Sequence, residues 1–422
     1  MKRAWTMVPG VVLAAGLLNA ASPVVRPGSV HLVQDAASRQ VTVSYVLEEA
    51  PGIVTVDFLT NGVSIGEANF ANVQGDVNRK VEELGAHVIT WKPYESPWAN
   101  LGVSNAVMTA KVTAWSPLTP PDYLVLGLDR ANDVRYFRST DALPGGLAHD
   151  DYRSKYLVMR KIPAAGVSWR MGAFAEQGNG GYLAKREKAH LVTLTNDYFM
   201  AVFELTQEQF LKVVGTNPSN RKGTETGERF LPVERVAYDT IRGAGWPEDG
   251  HRVSAGSVCD VFRQRTGMDL DLPTDAQWEF ACRAGTSTAI NTGKMTAMET
   301  NDPAMGEVAW FKYNSDNHSH PVGLKSCNAW GLYDMHGNVY EWTLDWEGFS
   351  LGPDMTGDPV IEPVGFTTVE KNAFKEHQRG RRGGTFEHDA KICRSAFRGS
   401  TLATDAAANT GIRFICPPDG RW

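Results

Sequence analysis

Cysteine is scarce in this chain, which has five among 422 residues, the first of them at position 259. No two of the five form a CxxC pair, so a zinc knuckle or a thioredoxin-type redox motif is not supported. The odd number leaves at least one thiol unpaired within a monomer. HExxH, P-loop and dinucleotide-binding motifs are also missing, which excludes the most recognisable zinc-protease and nucleotide sites.

Strong charge bias and long apolar runs are missing too. The net charge is −6, with acidic and basic residues mixed along the chain. Because no run or stripe of Lys and Arg is present, nothing indicates nucleic-acid binding. Beyond the N-terminal region no segment approaches the ~20 apolar residues that span a bilayer. We expect a mature chain without a membrane span.

The N-terminus has the three parts of a secretory signal peptide. Lys2 and Arg3 are followed by an apolar region at residues 8–18 and by small residues at 19–22. The sequence therefore predicts a signal peptide over residues 1–21 and export to the periplasm, the cell surface or the medium. A lipid-anchored form is not expected, because no cysteine follows the apolar region.

Residues 24–116 show the alternation of apolar and polar residues that is typical of β-strands. The runs are separated by turn signals at Pro51-Gly52 and Asn61-Gly62, and no convincing helix lies between them. They comprise Val30–Val33, Val41–Val46, Ile53–Leu59 and Val107–Trp115. The pattern predicts an all-β sandwich of immunoglobulin or fibronectin type.

A proline-rich segment at residues 117–122 marks a domain boundary. Three prolines in five residues favour extended backbone and a semi-rigid linker. We assign residues 123–420 to a second domain, in which Tyr123–Arg153 reads as an irregular lead-in and Leu157–Ile162 as the first strand.

Helix start signals place three helices in this second domain. Thr206 and Thr274 each begin a capping box, and Ser254 is a candidate N-cap for a helix that ends at Gly267. The rest is rich in turns and short strands. A few helices around irregular, glycine-rich sheet predict an α+β domain.

Residues 328–346 combine five large aromatic residues with the acids Asp334, Glu341 and Asp345. The core of this stretch, GLYDMHGNVYEW, resembles a signature of formylglycine-generating-enzyme-like domains, also called sulfatase-modifying factor domains. Further segments resemble that family in the same order: LPVERVAYD, LPTDAQWEFACRAGTST, HPVGLKSCNAWG, RRGGTF, CRSAFR and NTGIRF. The resemblance implies a C-type-lectin-like fold with long loops.

The resemblance also implies a structural calcium site. Its ligands would be the side chains of Asp334 and Glu341 and the carbonyl groups of Gly337 and Val339. Calcium takes six to eight oxygen ligands, and Gly337 can adopt the backbone turn that points carbonyls inward. The alternative is that both acids bond to backbone amides or to arginines within the domain.

Members of this family that act as oxidases bind copper(I) through two cysteines after the double glycine. In this sequence the matching positions hold His388 and Cys393, so the first copper-binding cysteine is missing. Thiolates are the ligands that copper(I) prefers. Tyr340 also replaces the tryptophan usual in the family. Cys393 and His388 are therefore candidates for an altered metal or catalytic site, and the alternative is a core cysteine beside a surface histidine.

Disulfide bonds are a further possibility, because exported proteins permit them. Cys259 and Cys416 lie near positions that form a disulfide in some family members. Cys282 and Cys393 are a second possible pair, which would leave Cys327 free.

The sequence supports one leading function and two alternatives. The leading prediction is an exported scaffold that recognises a polypeptide or a glycan through its loops and holds the calcium ion that the resemblance implies. The first alternative is a copper-dependent oxidase that makes formylglycine on sulfatase-type cysteine substrates. The second is an oxygenase that uses His388 and Cys393 on another metal.

Overall fold

A computed structural model provides the coordinates. It describes residues 21–70, 72–100, 107–173, 187–223, 228–293, 301–346, 359–363 and 378–422. The predicted signal peptide lies almost wholly outside these ranges. The described part is mostly β-structure with a few short helices.

The N-terminal region consists of two antiparallel sheets. One has the order β1–β3–β8–β6 with β2 on β3, and the other has the order β5–β4–β7 with β9 on β4. The strands are β1 Val24–Val25, β2 His31–Asp35, β3 Gln40–Glu48, β4 Gly52–Thr60, β5 Val63–Ser64, β6 Gln74–Gly75, β7 Arg79–Val81, β8 Gly85–Trp91 and β9 Met108–Trp115. The four predicted strand runs are confirmed to within two residues.

Both sheets contribute to one hydrophobic core, which explains why alternating sequences fold here. On β3 every second residue from Val41 to Leu47 is buried, and these side chains meet Val54, Val56 and Phe58 of β4. Phe58 stacks on Trp91 of β8 with ring centroids 4.5 Å apart. Successive strand residues point to opposite faces. On β3 only one face is fully buried, whereas the first five residues of β4 are buried on both faces.

The proline-rich segment packs against the second region. Pro120 and Pro121 are buried, and the Lys161 amine donates to the Pro120 carbonyl at 2.6 Å. The Asp122 carboxylate lies 3.1 Å from Arg160 and 3.2 Å from Lys161. These contacts hold the segment against the first sheet of the second region.

The lead-in predicted for Tyr123–Arg153 is wrong, because it contains two strands of the main sheet. This sheet has the order β11–β10–β12–β15–β23. Its strands are β10 Tyr123–Gly127, β11 Val134–Phe137, β12 Tyr156–Ile162, β15 Tyr198–Ala201 and β23 Ile415–Cys416. All five residues of β10 are buried. A strand covered on both faces shows no alternation, so its sequence lacks the period-two pattern.

All but one of the α-helices in the described residues begin at a side-chain N-cap, the exception being Tyr238–Ile241. The helices are α1 Gln207–Val214, α2 Tyr238–Ile241, α3 Val258–Thr266, α4 Asp275–Arg283 and α5 Pro303–Val308. Both predicted capping boxes, at Thr206 and Thr274, are confirmed. The predicted cap at Ser254 is wrong, because the Ser257 side chain accepts from the Asp260 amide and caps α3. The predicted end at Gly267 is confirmed.

Short strands complete the second region. They are β13 Val167–Met171, β14 His190–Leu194, β16 Ala309–Trp310, β17 His336–Gly337, β18 Tyr340–Trp346, β19 Val360–Ile361, β20 Gln378–Arg382, β21 Gly399–Leu402 and β22 Thr410–Gly411. The sheet β21–β20–β18–β22 places β18 between two neighbours, and Glu341 pairs with Arg382 on one side and Gly411 on the other. The predicted calcium motif therefore ends in the central part of a sheet.

The structure contains neither predicted disulfide, because all five cysteines are free. The Cys416 thiol lies 4.0 Å from the Met159 sulfur, and the Cys282 thiol contacts the Met335 carbonyl and His336. The Cys393 thiol lies 3.8 Å from the Thr385 carbonyl oxygen. In the described residues no helix combines the length and hydropathy needed to cross a membrane.

Candidate functional site

The segment from Asp334 to Glu341 is buried and turns on either side of β17 before it enters β18. Asp334, Gly337 and Asn338 have φ angles of 56°, 73° and 53°, in the left-handed region. A Cβ on Gly337 would collide with the Trp310 carbonyl oxygen, so the backbone of β16 approaches too closely for any other residue. All four residues of the predicted calcium site are buried on this segment.

Glu341 is held by an arginine and a tryptophan. Arg413 Nη2 and Nε donate to Glu341 Oε1 at 2.6 and 2.9 Å, and Nε also lies 2.9 Å from Oε2. Trp278 Nε1 donates to Oε2 at 2.5 Å. The Glu341 and Arg413 side chains are fully buried. Glu341 therefore has an arginine partner within the domain, which was the alternative to calcium in the sequence analysis.

Arg413 also bonds to two separate backbone segments. Its guanidinium donates to the carbonyls of Ala201, Val202 and Tyr333 at 2.8–3.0 Å. Arg413 lies in the NTGIRF segment, whose sequence gives no sign of a partner 72 residues away. Its role was missed for that reason.

Glu204 is a second functional residue that sequence reasoning missed. Its Oε2 accepts from the Asn338 side-chain amide at 2.6 Å, and its Oε1 accepts from the Val339 amide at 3.2 Å. Burial raises the pKa of Glu204 well above its usual range, and the nearby Asp334 and Glu341 charges add to this shift. The signal that could have revealed it is an acid between Phe203 and Leu205, two buried apolar residues.

Asp334 has one carboxylate oxygen with a partner and one without. Oδ2 accepts from the Gly323 amide at 2.7 Å, whereas the buried Oδ1 has no hydrogen-bond partner. Burial raises the pKa of Asp334 to about 6, against the lowering effect of the Gly323 amide and Arg413. A buried acceptor without a donor is costly and uncommon in native structures.

The buried site contains three acidic residues and one arginine. Glu204, Asp334 and Glu341 share one fully buried guanidinium, that of Arg413. Within the described residues no three His, Cys, Asp or Glu side chains converge as a preformed metal cluster. The grouping of three buried acids and the unpartnered Asp334 Oδ1 nevertheless match what an oxygen-binding cation requires. The oxygen donors present are of the type that calcium takes.

Thr385 contacts both residues that were predicted as candidate copper ligands, His388 and Cys393. The His388 Nδ1 atom lies 2.7 Å from the Thr385 hydroxyl, and the Cys393 thiol contacts the carbonyl of the same threonine. Burial raises the pKa of Cys393 to about 12, and burial lowers the pKa of His388. The thiol is therefore protonated at neutral pH, while copper(I) binds the thiolate. This donor set does not fit the two-thiolate copper centre.

Around His388 the domain presents a half-exposed polar and aromatic face. The Tyr340 ring lies 5.3 Å from the His388 ring, and the Arg381 guanidinium lies 4.3 Å from the centre of the same Tyr340 ring. Asn409 donates to the exposed Glu387 carboxylate at 3.0 Å. We call Tyr340, Arg381, Glu387, His388 and Asn409 the His388 face. Tyr340 itself is buried, so the face offers a partner the donors and acceptors of the other four residues.

A second buried polar network lies under α4. The Asp275 amide donates to Asp345 Oδ2 at 2.7 Å, and Arg398 Nε lies 3.6 Å from Asp275 Oδ2. Burial, reinforced by the Asp275 charge, raises the pKa of Asp345 to about 8. Nearby, Glu279 pairs with Arg382 and, at 2.8 Å, with Arg283. This network joins α4 to β18 and β20.

The chain resembles one family model and several characterised proteins. Residues 158–417 match the model of the sulfatase-modifying factor enzyme 1-like domain. Chaperone protein LppX of Paenibacillus barcinonensis is 29% identical over 201 residues, which are 39% of this chain and 68% of that protein. The formylglycine-generating enzyme of Mycobacterium tuberculosis is 39% identical over 208 residues, 44% of this chain and 67% of the enzyme.

A solved structure is also similar. Treponema denticola variable protein 1 is 25% identical, with 62% of this chain and 96% of that chain covered at a TM-score of 0.46.

Proposed function

The chain belongs to the sulfatase-modifying factor enzyme 1-like family, and on that premise we propose that it is an exported, calcium-stabilised recognition scaffold rather than a copper oxidase. In this proposal residues 24–116 are a sandwich of immunoglobulin or fibronectin type. Residues 123–420 are a C-type-lectin-like domain that presents its loops to a polypeptide or glycan ligand. The predicted signal peptide supports export.

The observation that carries the proposal is the chemistry around Thr385. His388 stands at the first copper position, and the Cys393 thiol is fully buried with a raised pKa. Oxidation of a substrate cysteine requires a metal that can activate oxygen. One protonated thiol and one imidazole tied to a threonine hydroxyl do not supply the pair of soft ligands that copper(I) prefers.

Calcium would be held at the turn that precedes β18. Asp334 would contribute its unpartnered Oδ1, Gly337 and Val339 their carbonyl oxygens, and Glu341 a carboxylate oxygen next to Arg413. The ion would supply the positive charge that the buried acids lack. It would hold a turn with three left-handed residues, and would take no part in chemistry.

The His388 face is the proposed recognition surface. It combines the exposed Glu387 with the partly exposed His388 and Asn409, next to the paired strands β18 and β20. A relative named as a chaperone favours a polypeptide over a glycan as the ligand. Binding groups on loops that a rigid scaffold positions are the common arrangement of recognition domains.

Two assays on the same purified mature protein test this proposal. A random peptide library is panned on wild-type protein, and the selected peptides are titrated against Glu387→Lys and His388→Ala. We expect affinity to fall at least tenfold, which corresponds to about 1.4 kcal/mol. The matched control is Asp141→Ala, which removes an exposed acid from the opposite end of the second region's sequence and should leave binding unchanged.

The second assay addresses the oxidase alternative, which the formylglycine-generating relatives favour. Copper-loaded protein is incubated with oxygen and a sulfatase-type cysteine peptide, and the products are analysed by mass spectrometry. The proposal predicts an unchanged peptide. Turnover of the cysteine to formylglycine that is lost in Cys393→Ser would overturn it.

A further inference from the structure

A cleft of about 510 Å³ opens beside the sheets of the N-terminal region. The described residues that line it all precede residue 109, so it lies outside the family match at 158–417. Its size is within the range of about 300–1,000 Å³ that is typical of small-ligand pockets. The floor is formed by Val41, Thr60 and Met108, and the two walls are the β2–β3 turn and the segment after β8.

The β2–β3 turn is fixed by its own hydrogen bonds. The Asp35 carboxylate accepts from the Ala37 amide at 2.9 Å and from the Ser38 hydroxyl at 2.6 Å. Arg39 then adopts a φ of 53°, which is uncommon for a residue other than glycine. This turn places Arg39 on the cleft, next to Gln34 and Gln40.

The opposite wall displays two aromatic side chains on short 3₁₀ turns. Tyr94 lies in the turn Pro93–Glu95, and Trp98 lies in the turn Pro97–Asn100. The Ser96 hydroxyl donates to the Pro93 carbonyl at 2.7 Å and joins the two turns. Tyr94 is 45% exposed, while Trp98 packs partly against the sandwich core. The rings are thus held in place without being buried.

From this arrangement we propose that the cleft binds a neutral oligosaccharide. A sugar ring has an apolar C–H face that packs on an aromatic ring, and hydroxyl groups around its edge that both donate and accept. Tyr94 and Trp98 supply the aromatic surface. Gln34, Gln40 and Arg39 supply planar groups that bond to neighbouring hydroxyls.

The charges in the cleft favour an uncharged ligand. Asp35 and Arg39 carry opposite charges, and the pair Lys92 and Glu95 beside the aromatic wall is also neutral, with its side chains 3.1 Å apart. A phosphate or a sulfated sugar would meet a carboxylate as well as a guanidinium. A neutral sugar meets no such repulsion, because its hydroxyl groups can donate to a carboxylate and accept from a guanidinium.

The proposal is tested by calorimetric titration of the full mature chain. The probes are neutral cello-, malto-, xylo- and chito-oligosaccharides, with a sulfated oligosaccharide as the charged comparison. We expect at least one neutral series to bind. In Tyr94→Ala the Kd should rise about tenfold or more, equivalent to 1.4 kcal/mol. The melting temperature should stay the same, because the ring is half exposed.

Two further variants make the result decisive. Gln40→Ala removes a bonding group from the facing wall and should also weaken binding, whereas Tyr313→Ala removes an exposed ring outside the cleft and should not. Absence of binding to every neutral probe, preference for the sulfated probe, or binding that survives both Tyr94→Ala and Gln40→Ala would each overturn the proposal. Peptide recognition at the His388 face is a separate measurement, so either site can fail alone.

Discussion

The Arg413 guanidinium donates hydrogen bonds of 2.6–2.9 Å to both carboxylate oxygens of Glu341. This fully buried pair joins β18 to the last strands of the chain. The pair also organises the predicted calcium motif. Because Arg413 pairs directly with Glu341, Asp334 and Glu204 are left without an ion-pair partner among the described residues, and burial raises the pKa of both. The motif is therefore built around an internal ion pair with further acids next to it.

Removal of Arg413 should strongly destabilise the second region. In Arg413→Ala the Glu341 carboxylate would stay buried without its partner, which typically costs about 3–5 kcal/mol. Denaturant unfolding measures this loss. The control is Arg421→Ala, whose exposed pair with Asp269 at 3.3 Å should contribute less than about 1 kcal/mol. Equal small effects at both positions would contradict a structural role for the buried pair.

Calcium removal should lower the melting temperature. An ion that binds only the folded state stabilises it by about 2.7 kcal/mol at one hundred times its Kd. Wild-type protein should therefore melt lower in chelator, while Asp334→Ala should melt low with or without it. Asp141→Ala, at an exposed position, should respond to chelator as wild type does. Wild-type melting that ignores chelator would refute the calcium site.

The buried Asp345 carboxyl should make stability fall as the pH rises. Burial and the Asp275 charge raise the pKa of Asp345 to about 8, above the usual value of 3.8. The folded state thus binds this proton more tightly than the unfolded state, so its contribution is complete below pH 4 and is lost by pH 8. The slope approaches 1.4 kcal/mol per pH unit.

The isosteric variant Asp345→Asn isolates this effect, because it removes the charge and keeps an acceptor for the Asp275 amide. Between pH 4 and pH 8 the unfolding free energy of wild type should fall relative to that of the variant. A difference that stays constant over this range would show that Asp345 is ionised throughout.

Thiol labelling should distinguish Cys327 from the other cysteines. Cys259, Cys282, Cys393 and Cys416 are fully buried, whereas Cys327 is partly exposed. Burial raises the pKa of Cys282 and Cys393 to about 12, which further suppresses their reactivity. A thiol reagent should modify Cys327 in the folded protein and all five cysteines in denaturant. Fewer than five in denaturant would indicate a disulfide.

The sequence predicts local features of this protein better than distant ones. The caps at Thr206 and Thr274 depend on residues three positions away, and the alternation on β3 depends on one exposed sheet face, so both patterns are readable. The strand Tyr123–Gly127 was missed because it is buried on both faces. Motif resemblance located the turn at Asp334–Glu341, but not the residues that surround it.

Those surrounding residues come from far along the chain. Glu204 bonds to Asn338 across 134 positions, and Arg413 bonds to Glu341 across 72. The local sequence does not show which arginine will pair with which buried acid, because that pairing depends on the order of the strands in the sheet. The disulfide pairs failed for the same reason, since positions in a motif do not fix the distance between two sulfur atoms.

Copper(I) binding to the purified mature protein tests the central claim most directly. Wild type, Cys393→Ser and His388→Cys are titrated against a competing copper(I) chelator, the last variant restoring the two-cysteine pattern of the family. Our account predicts no stoichiometric binding by wild type or Cys393→Ser, and a gain of affinity in His388→Cys. Tight binding of one copper(I) by wild type that disappears in Cys393→Ser would contradict the scaffold and support the oxidase.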